Sequence, residues 1–200
     1  MHFELSLPRE SPGGRIANAV IDIVLQVPPT RESSAANPGL RAKEIARAAA
    51  RSASLTAASL SLPPGVLGWL TVLPELMAVW KIQTQMVADI AGAYGQTQTL
   101  GREQMLFCLF KQVAAQLVRD LVIRVGERVL VRPLSNKVLQ TLAQKLGAQL
   151  TRSLVQKGAS RLIPLLGALG VGAYAYADTL QVGRNAVLLF DGVTLVQTPT

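Results

Sequence analysis

Residues 162–190 read LIPLLGALGVGAYAYADTLQVGRNAVLLF, and residues 61–95 read SLPPGVLGWLTVLPELMAVWKIQTQMVADIAGAYG. The first run carries only Asp178 and Arg184 as charges, and the second only Glu75, Lys81 and Asp89. Stretches this apolar belong in a protein core or in a bilayer, and a charge inside one must be paired or functional. The uncharged window Ser52–Pro74 has the length of a span, but Pro63, Pro64, Pro74 and its many Ser and Thr residues make it a poor spanning helix. The uncharged window Leu162–Ala177 is too short and holds Pro164. The expectation is a buried helical hairpin, or an interfacial segment, rather than a pair of membrane spans.

The order of the charges says how such a hairpin would pack. Glu75 precedes Lys81 by six residues, and Asp178 precedes Arg184 by the same interval. Antiparallel packing sets Glu75 against Arg184 and Lys81 against Asp178, whereas parallel packing opposes like charges. Six residues turn a helix by about 600°, so the two charges on each helix lie about 120° apart and at most one pair sits squarely in the seam. Asp89 returns to nearly the face of Glu75. The preferred reading is that Glu75, Arg184, Lys81 and Asp178 form buried ion pairs that fix register. The other is a polar site in the bundle that binds an ion or a headgroup.

Half of the chain is hydrophobic but only 4% is aromatic, so the core must be mostly Leu, Val and Ala, which favours helices over a sandwich. Ile16, Val20, Ile23 and Val27 recur at helical spacing within Arg15–Val27, and Pro28 to Pro38 reads as a linker. Leu40 to Ala58 is an Ala-rich helix former with Arg41, Lys43, Glu44, Arg47 and Arg51 on one side. Pro74 is expected to divide the first apolar run, and Gly95 suits the left-handed position after a helix. Thr99 is the expected N-cap of the next helix, with Glu103 in its first turn. Ser135 is a cap for a helix in which Leu134, Val138, Leu142, Leu146, Leu150 and Leu154 repeat every four residues. No segment shows sustained strand alternation. The expected fold is all-α, a single compact domain of about six to eight helices with a Gly/Ala-rich close-packed helical pair.

The net charge of +8 is concentrated: residues 101–161 hold eleven Lys and Arg against three acidic residues, and the rest of the chain balances. Arg124, Arg128 and Arg132 are four apart and are expected on one helical face, as are Lys137, Lys145 and Arg152 approximately. Any soluble helix needs a solvated face, but this imbalance supports an anionic partner. No aromatic residue lies between Phe110 and Tyr174, which removes a base-stacking platform and disfavours nucleic acid. Anionic lipid, or an acidic protein, is the better partner.

Catalytic and cofactor signatures are missing from the sequence. His2 is the lone histidine, so neither a Ser-His or Cys-His arrangement nor a zinc site of the usual kind is expected. Gly167–Gly172 has no Lys-Ser/Thr after it and no strand before it, so it is not read as a phosphate loop. Ala168/Gly172 and Ala173/Ala177 are instead small pairs that let a second helix approach. Cys108, between Phe107 and Leu109, reads as a buried apolar residue, and a lone cysteine fits a reducing compartment. Met1–Glu4 lacks the basic start of a secretory signal.

Several of these pieces together resemble the EcsC family. They are Pro63-Pro64-Gly65 leading into Leu70–Leu76 with Glu75, the run Gln85–Gly95, the run Ile163–Ala173, and Asp178 through Val182-Gly183-Arg184-Asn185-Ala186. The resemblance covers about residues 40–190. It implies a bacterial helical protein in a membrane-linked setting, and no reaction, because the family has no agreed activity. The organisation expected is a 1–39 extension with a short amphipathic helix and Pro-rich linker, an EcsC-like domain over 40–192, and a tail over 193–200. The expected function is non-enzymatic, with basic helices of 101–161 contacting anionic lipid or an acidic protein, in the cytoplasm or peripherally at the inner membrane. A soluble adaptor without lipid affinity and an unrecognised lipid-acting enzyme are the alternatives.

Overall fold

The computed structural model describes residues 12–60, 68–111, 122–125, 128–131, 135–157 and 164–191. Six α-helices occur among them: α1 (Pro12–Leu25), α2 (Pro38–Leu60), α3 (Gly68–Ala93), α4 (Arg102–Phe110), α5 (Asn136–Lys157) and α6 (Pro164–Asp191). A 3-10 turn (Thr97–Thr99) precedes α4, and a two-stranded hairpin, β1 (Val122–Val125) with β2 (Arg128–Val131), precedes α5. The architecture is all-α with this one small hairpin among the described residues. Residues 1–11, and the tail expected over 193–200, lie outside them.

Local chemistry explains the ends of the helices. Pro12, Pro38 and Pro164 each open a helix, where a missing N–H costs nothing. Before α2, Asn37 Oδ1 accepts the Leu40 N–H at 3.0 Å, the cap that orphan first-turn donors require. Gly95 has φ +67°, and the Gly95 and Gln96 N–H groups reach back to the carbonyls of Gly92 and Ala91. This is a Schellman ending of α3 of the kind that favours glycine. Ser135 accepts the Val138 N–H at 3.4 Å as the expected cap of α5.

Two local expectations are corrected. Pro74 does not divide α3: it sits inside the helix with its ring exposed, so one lost rung is tolerated near the start. Thr99 does not cap α4. It closes the 3-10 turn by donating to Gln96 O, and the N-cap is Gly101, whose N–H donates to Gln104 Oε1 at 3.1 Å.

The Ala-rich α2 organises the packing. Ala42, Ala46, Ala50, Ala53 and Ala57 are buried along one face, and small side chains let two helices approach it. A methyl group at Gly172 of α6 would lie 3.1 Å from Ser54 O and 3.3 Å from Ala58 Cβ, and one at Gly183 would lie 2.8 Å from Ala46 Cβ. As residue numbers rise on α6 they fall on α2, so the two helices are antiparallel. Gly172 and Gly183 are the close-approach points, whereas Ala173 and Ala177 face solvent and Ala168 lies beyond the described side chains.

Contacts between α3 and α6 fix their relative direction. Gln83 meets Asp178 and Thr179, Met86 meets Gly183, and Tyr94 at the end of α3 bonds Asp191 at the end of α6. The two apolar helices run parallel, with α2 antiparallel to both. The expected antiparallel hairpin is thereby overturned. The reason is packing: α2 offers a continuous alanine face, and that outweighs any gain from matching two charge pairs.

The main core joins α1, α2, α3, α4, α5 and α6. Ile16, Val20 and Ile23 of α1 belong to it with Leu139, Leu142 and Leu146 of α5, so α1 is part of the same core as the helices after residue 40. Trp80 meets Phe110 edge to face with ring centroids 5.3 Å apart. Asn185 of α6 donates to the Cys108 carbonyl at 3.1 Å, in the last turn of α4. No described helix is long and apolar enough to cross a membrane.

Gly170 provides a contrast with the two seam glycines. It is exposed in α6, and a methyl group there meets nothing within 4 Å. Gly170→Ala is expected to raise stability by about 0.5–1 kcal/mol, since alanine removes backbone freedom from the unfolded chain. A rise in the urea midpoint at unchanged slope checks it.

Candidate functional site

Of the four charges expected to pair inside the bundle, Asp178 is half-buried and accepts from Gln83 Nε2 at 2.8 Å. The same amide nitrogen donates to Thr179 Oγ1 at 3.1 Å, and Gln83 Oε1, fully buried, has no partner among the described residues. Lys81 points into solvent, so the expected Lys81–Asp178 pair is replaced by an amide–carboxylate bond. Arg184 is exposed and donates to Gln181 Oε1, one turn back on its own helix, at 3.2 Å. The side chain of Glu75 lies outside the described residues. A glutamine is the neutral group that can follow a carboxylate into this seam, whereas a lysine there would lose its hydration.

Burial pushes the Asp178 carboxyl above its ordinary value of 3.8, and the Gln83 bond opposes this only in part. Ionisation is therefore disfavoured in the folded chain and not in the unfolded one. Stability from this group is fully present below the ordinary value and is lost as pH rises through the raised one. Asp178→Asn keeps an acceptor for Gln83 and removes the ionisation. The variant should match or exceed the parent protein at neutral pH and lose that advantage below pH 3.8, as read from urea midpoints across pH.

Asp89 is the more heavily bonded charge. It is buried on α3, and its Oδ1 accepts the Arg31 backbone N–H at 2.8 Å and Gln85 Nε2 at 2.9 Å. Its Oδ2 accepts from the Arg31 guanidinium at 2.7 and 3.2 Å. Gln85 also donates to the Pro29 carbonyl, and Ala35 N–H donates to Ala93 O. The Pro-rich linker is thus tied down along the end of α3. Beyond it, Glu32 takes a two-pronged bond from Arg41 at 2.7 and 2.9 Å, which holds the Glu32 carboxyl below its usual range. Sequence reasoning marked Asp89 as a charge needing a partner but found none, because Arg31 sits in a stretch without periodicity.

The residues expected to meet an anionic surface are distributed differently from the sequence pattern. Arg124 and Arg128 do not share a helical face: they lie on β1 and β2, where Arg124 pairs with Val129 and Val125 with Arg128. Arg132 lies outside the described residues. The overlooked signal was the β-branched content of Val122-Ile123 and Val129, flanking a Gly126-Glu127 pair of the order that two-residue hairpin connections favour. Lys137 and Lys145 are exposed on α5, and the side chain of Arg152 on the same helix is not described. The chain outside 101–161 also has a basic face, discounted because its total charge balances. Lys43, Arg47 and Arg51 follow one another every four residues on the exposed side of α2.

Cys108 is fully buried, and its surroundings push the thiol well above its ordinary range, so it is packed as an apolar group. In comparisons with protein-family models, curated proteins and solved structures, none matches this chain.

Proposed function

We propose that this is a non-catalytic, EcsC-type bacterial protein that docks reversibly on the anionic face of a membrane without crossing it. The observation that carries the reading is the net charge of +8 on a bundle with solvated cations that share no salt bridge with another described residue, Lys43, Arg47 and Arg51 among them. A cation that shares no bridge with its own chain keeps its full attraction for an anionic surface, about 1 kcal/mol for each Lys or Arg at the lipid headgroups. No described helix is long and apolar enough to cross the bilayer, which fits peripheral attachment. The residues that resemble the EcsC family point to the same membrane-linked setting.

Co-sedimentation with phosphatidylcholine vesicles, with and without phosphatidylserine, tests the proposal. Binding that appears only with phosphatidylserine and weakens as salt rises supports it. No sedimentation at low salt overturns it and leaves the soluble adaptor with an acidic protein partner as the reading.

A further inference from the structure

The antiparallel pair α2 and α6 presents one continuous outer surface, and we infer that this surface is where the anionic bilayer docks. The inference rests on the membrane reading above and places the contact away from residues 101–161. Lys43, Arg51 and Leu55 each lie three residues before a residue at the α6 seam, Ala46, Ser54 and Ala58 respectively. Three residues turn a helix by about 300°, which is about 60° short of a full turn, so all three stand beside the seam, and their exposure puts them on its outer side. On α6, Arg184 follows the seam residue Gly183 and is exposed, with Leu188 one turn further on the same face.

Cations outnumber acidic groups on this surface, on which Glu44 and Asp191 are also exposed, Asp191 bonded to Tyr94. Lys43, Arg47, Arg51 and Arg184 share no salt bridge with any described residue, and the nearby Glu44 is already held by Arg41 at 2.8 Å. Between the cations stand apolar side chains open to solvent: Leu55 is 73% exposed and Leu188 43%. Long flexible cations with shallow apolar tips match the headgroup region of a bilayer, where charge is met by phosphate and apolar tips enter the acyl boundary. An acidic protein would satisfy the cations and leave the leucines without a matching surface.

The test uses the full chain and vesicles of phosphatidylcholine with phosphatidylserine. The triple variant Lys43→Gln, Arg47→Gln, Arg51→Gln touches only exposed positions, and circular dichroism confirms that it folds. At about fivefold for each cation, it should bind about a hundredfold more weakly at low salt, with the difference shrinking as salt rises. Lys137→Gln with Lys145→Gln should bind within about threefold of the parent protein, as cations off the contact do. Leu55→Ser should weaken binding by a few-fold at every salt concentration, since apolar insertion is not screened. If the parent protein binds and the α2 triple variant binds equally well, the surface is wrong while the membrane reading stands. If the parent protein does not bind phosphatidylserine vesicles at all, both fall.

Discussion

Asp89→Ala should lower stability by about 3 kcal/mol, the cost of removing a buried carboxylate and stranding the donors around it. The Arg31 backbone N–H loses its acceptor with that carboxylate, and the Gln85 amide keeps only its bond to the Pro29 carbonyl. The partner guanidinium behaves differently. Arg31 is 72% exposed against 6% for Asp89, so Arg31→Ala returns a solvated side chain to water and leaves the backbone anchor in place. Its expected cost is under about 1 kcal/mol, the range of exposed ion pairs. Asp89→Asn keeps an acceptor of the same shape without the charge and should fall between the two. Urea unfolding followed by circular dichroism reads all three. Equal losses for Asp89→Ala and Arg31→Ala would show that the ion pair, and not the backbone anchor, holds the linker.

Gly92→Ala should cost about 2–3 kcal/mol, although alanine is the better helix former by about 1 kcal/mol. A methyl group at Gly92 would collide with Thr30 Oγ1, lie 2.7 Å from the Glu32 carbonyl oxygen and 3.0 Å from Thr30 Cβ. The Glu32 oxygen is backbone and cannot swing away. The Thr30 hydroxyl is held too, by the Glu32 N–H at 3.0 Å. The clash and the Asp89 bonds act on the same few linker residues. The double variant should therefore lose less than the sum of the two single losses, because a linker already detached from α3 has nothing left to collide with. Full additivity would mean that the linker is held by other contacts.

These residues show what the sequence reveals and what it conceals. Helix existence was legible because it is local: the Ala-rich composition of α2, Gly95 after α3 and the four-residue leucine repeat of α5 all speak within a few turns. Partner choice was not. The charge order of Glu75, Lys81, Asp178 and Arg184 favoured one pairing of the apolar helices, but charge order carries no information about a third helix. The alanine face of α2 competes for both, and its advantage is one of shape. Gln83, the real partner of Asp178, was invisible for a related reason: a glutamine among apolar residues signals nothing until its neighbour is known. The hairpin was missed because Arg124, Arg128 and Arg132 imitate a helical period that the β-branched residues around them contradict.

The clasp that holds the linker also bears on the order of folding. It joins positions 58 residues apart, Arg31 and Asp89, with the whole of α2 and most of α3 enclosed between them. Closing a loop of that length costs more chain entropy than a single anchor returns, so it closes only after α2 and α3 have already met along their alanine and aliphatic faces. A contact formed that late is absent from the folding transition state. Weakening it should leave the folding rate nearly unchanged and quicken unfolding, so that the buried carboxylate at Asp89 governs how long the native state persists rather than how fast it is reached.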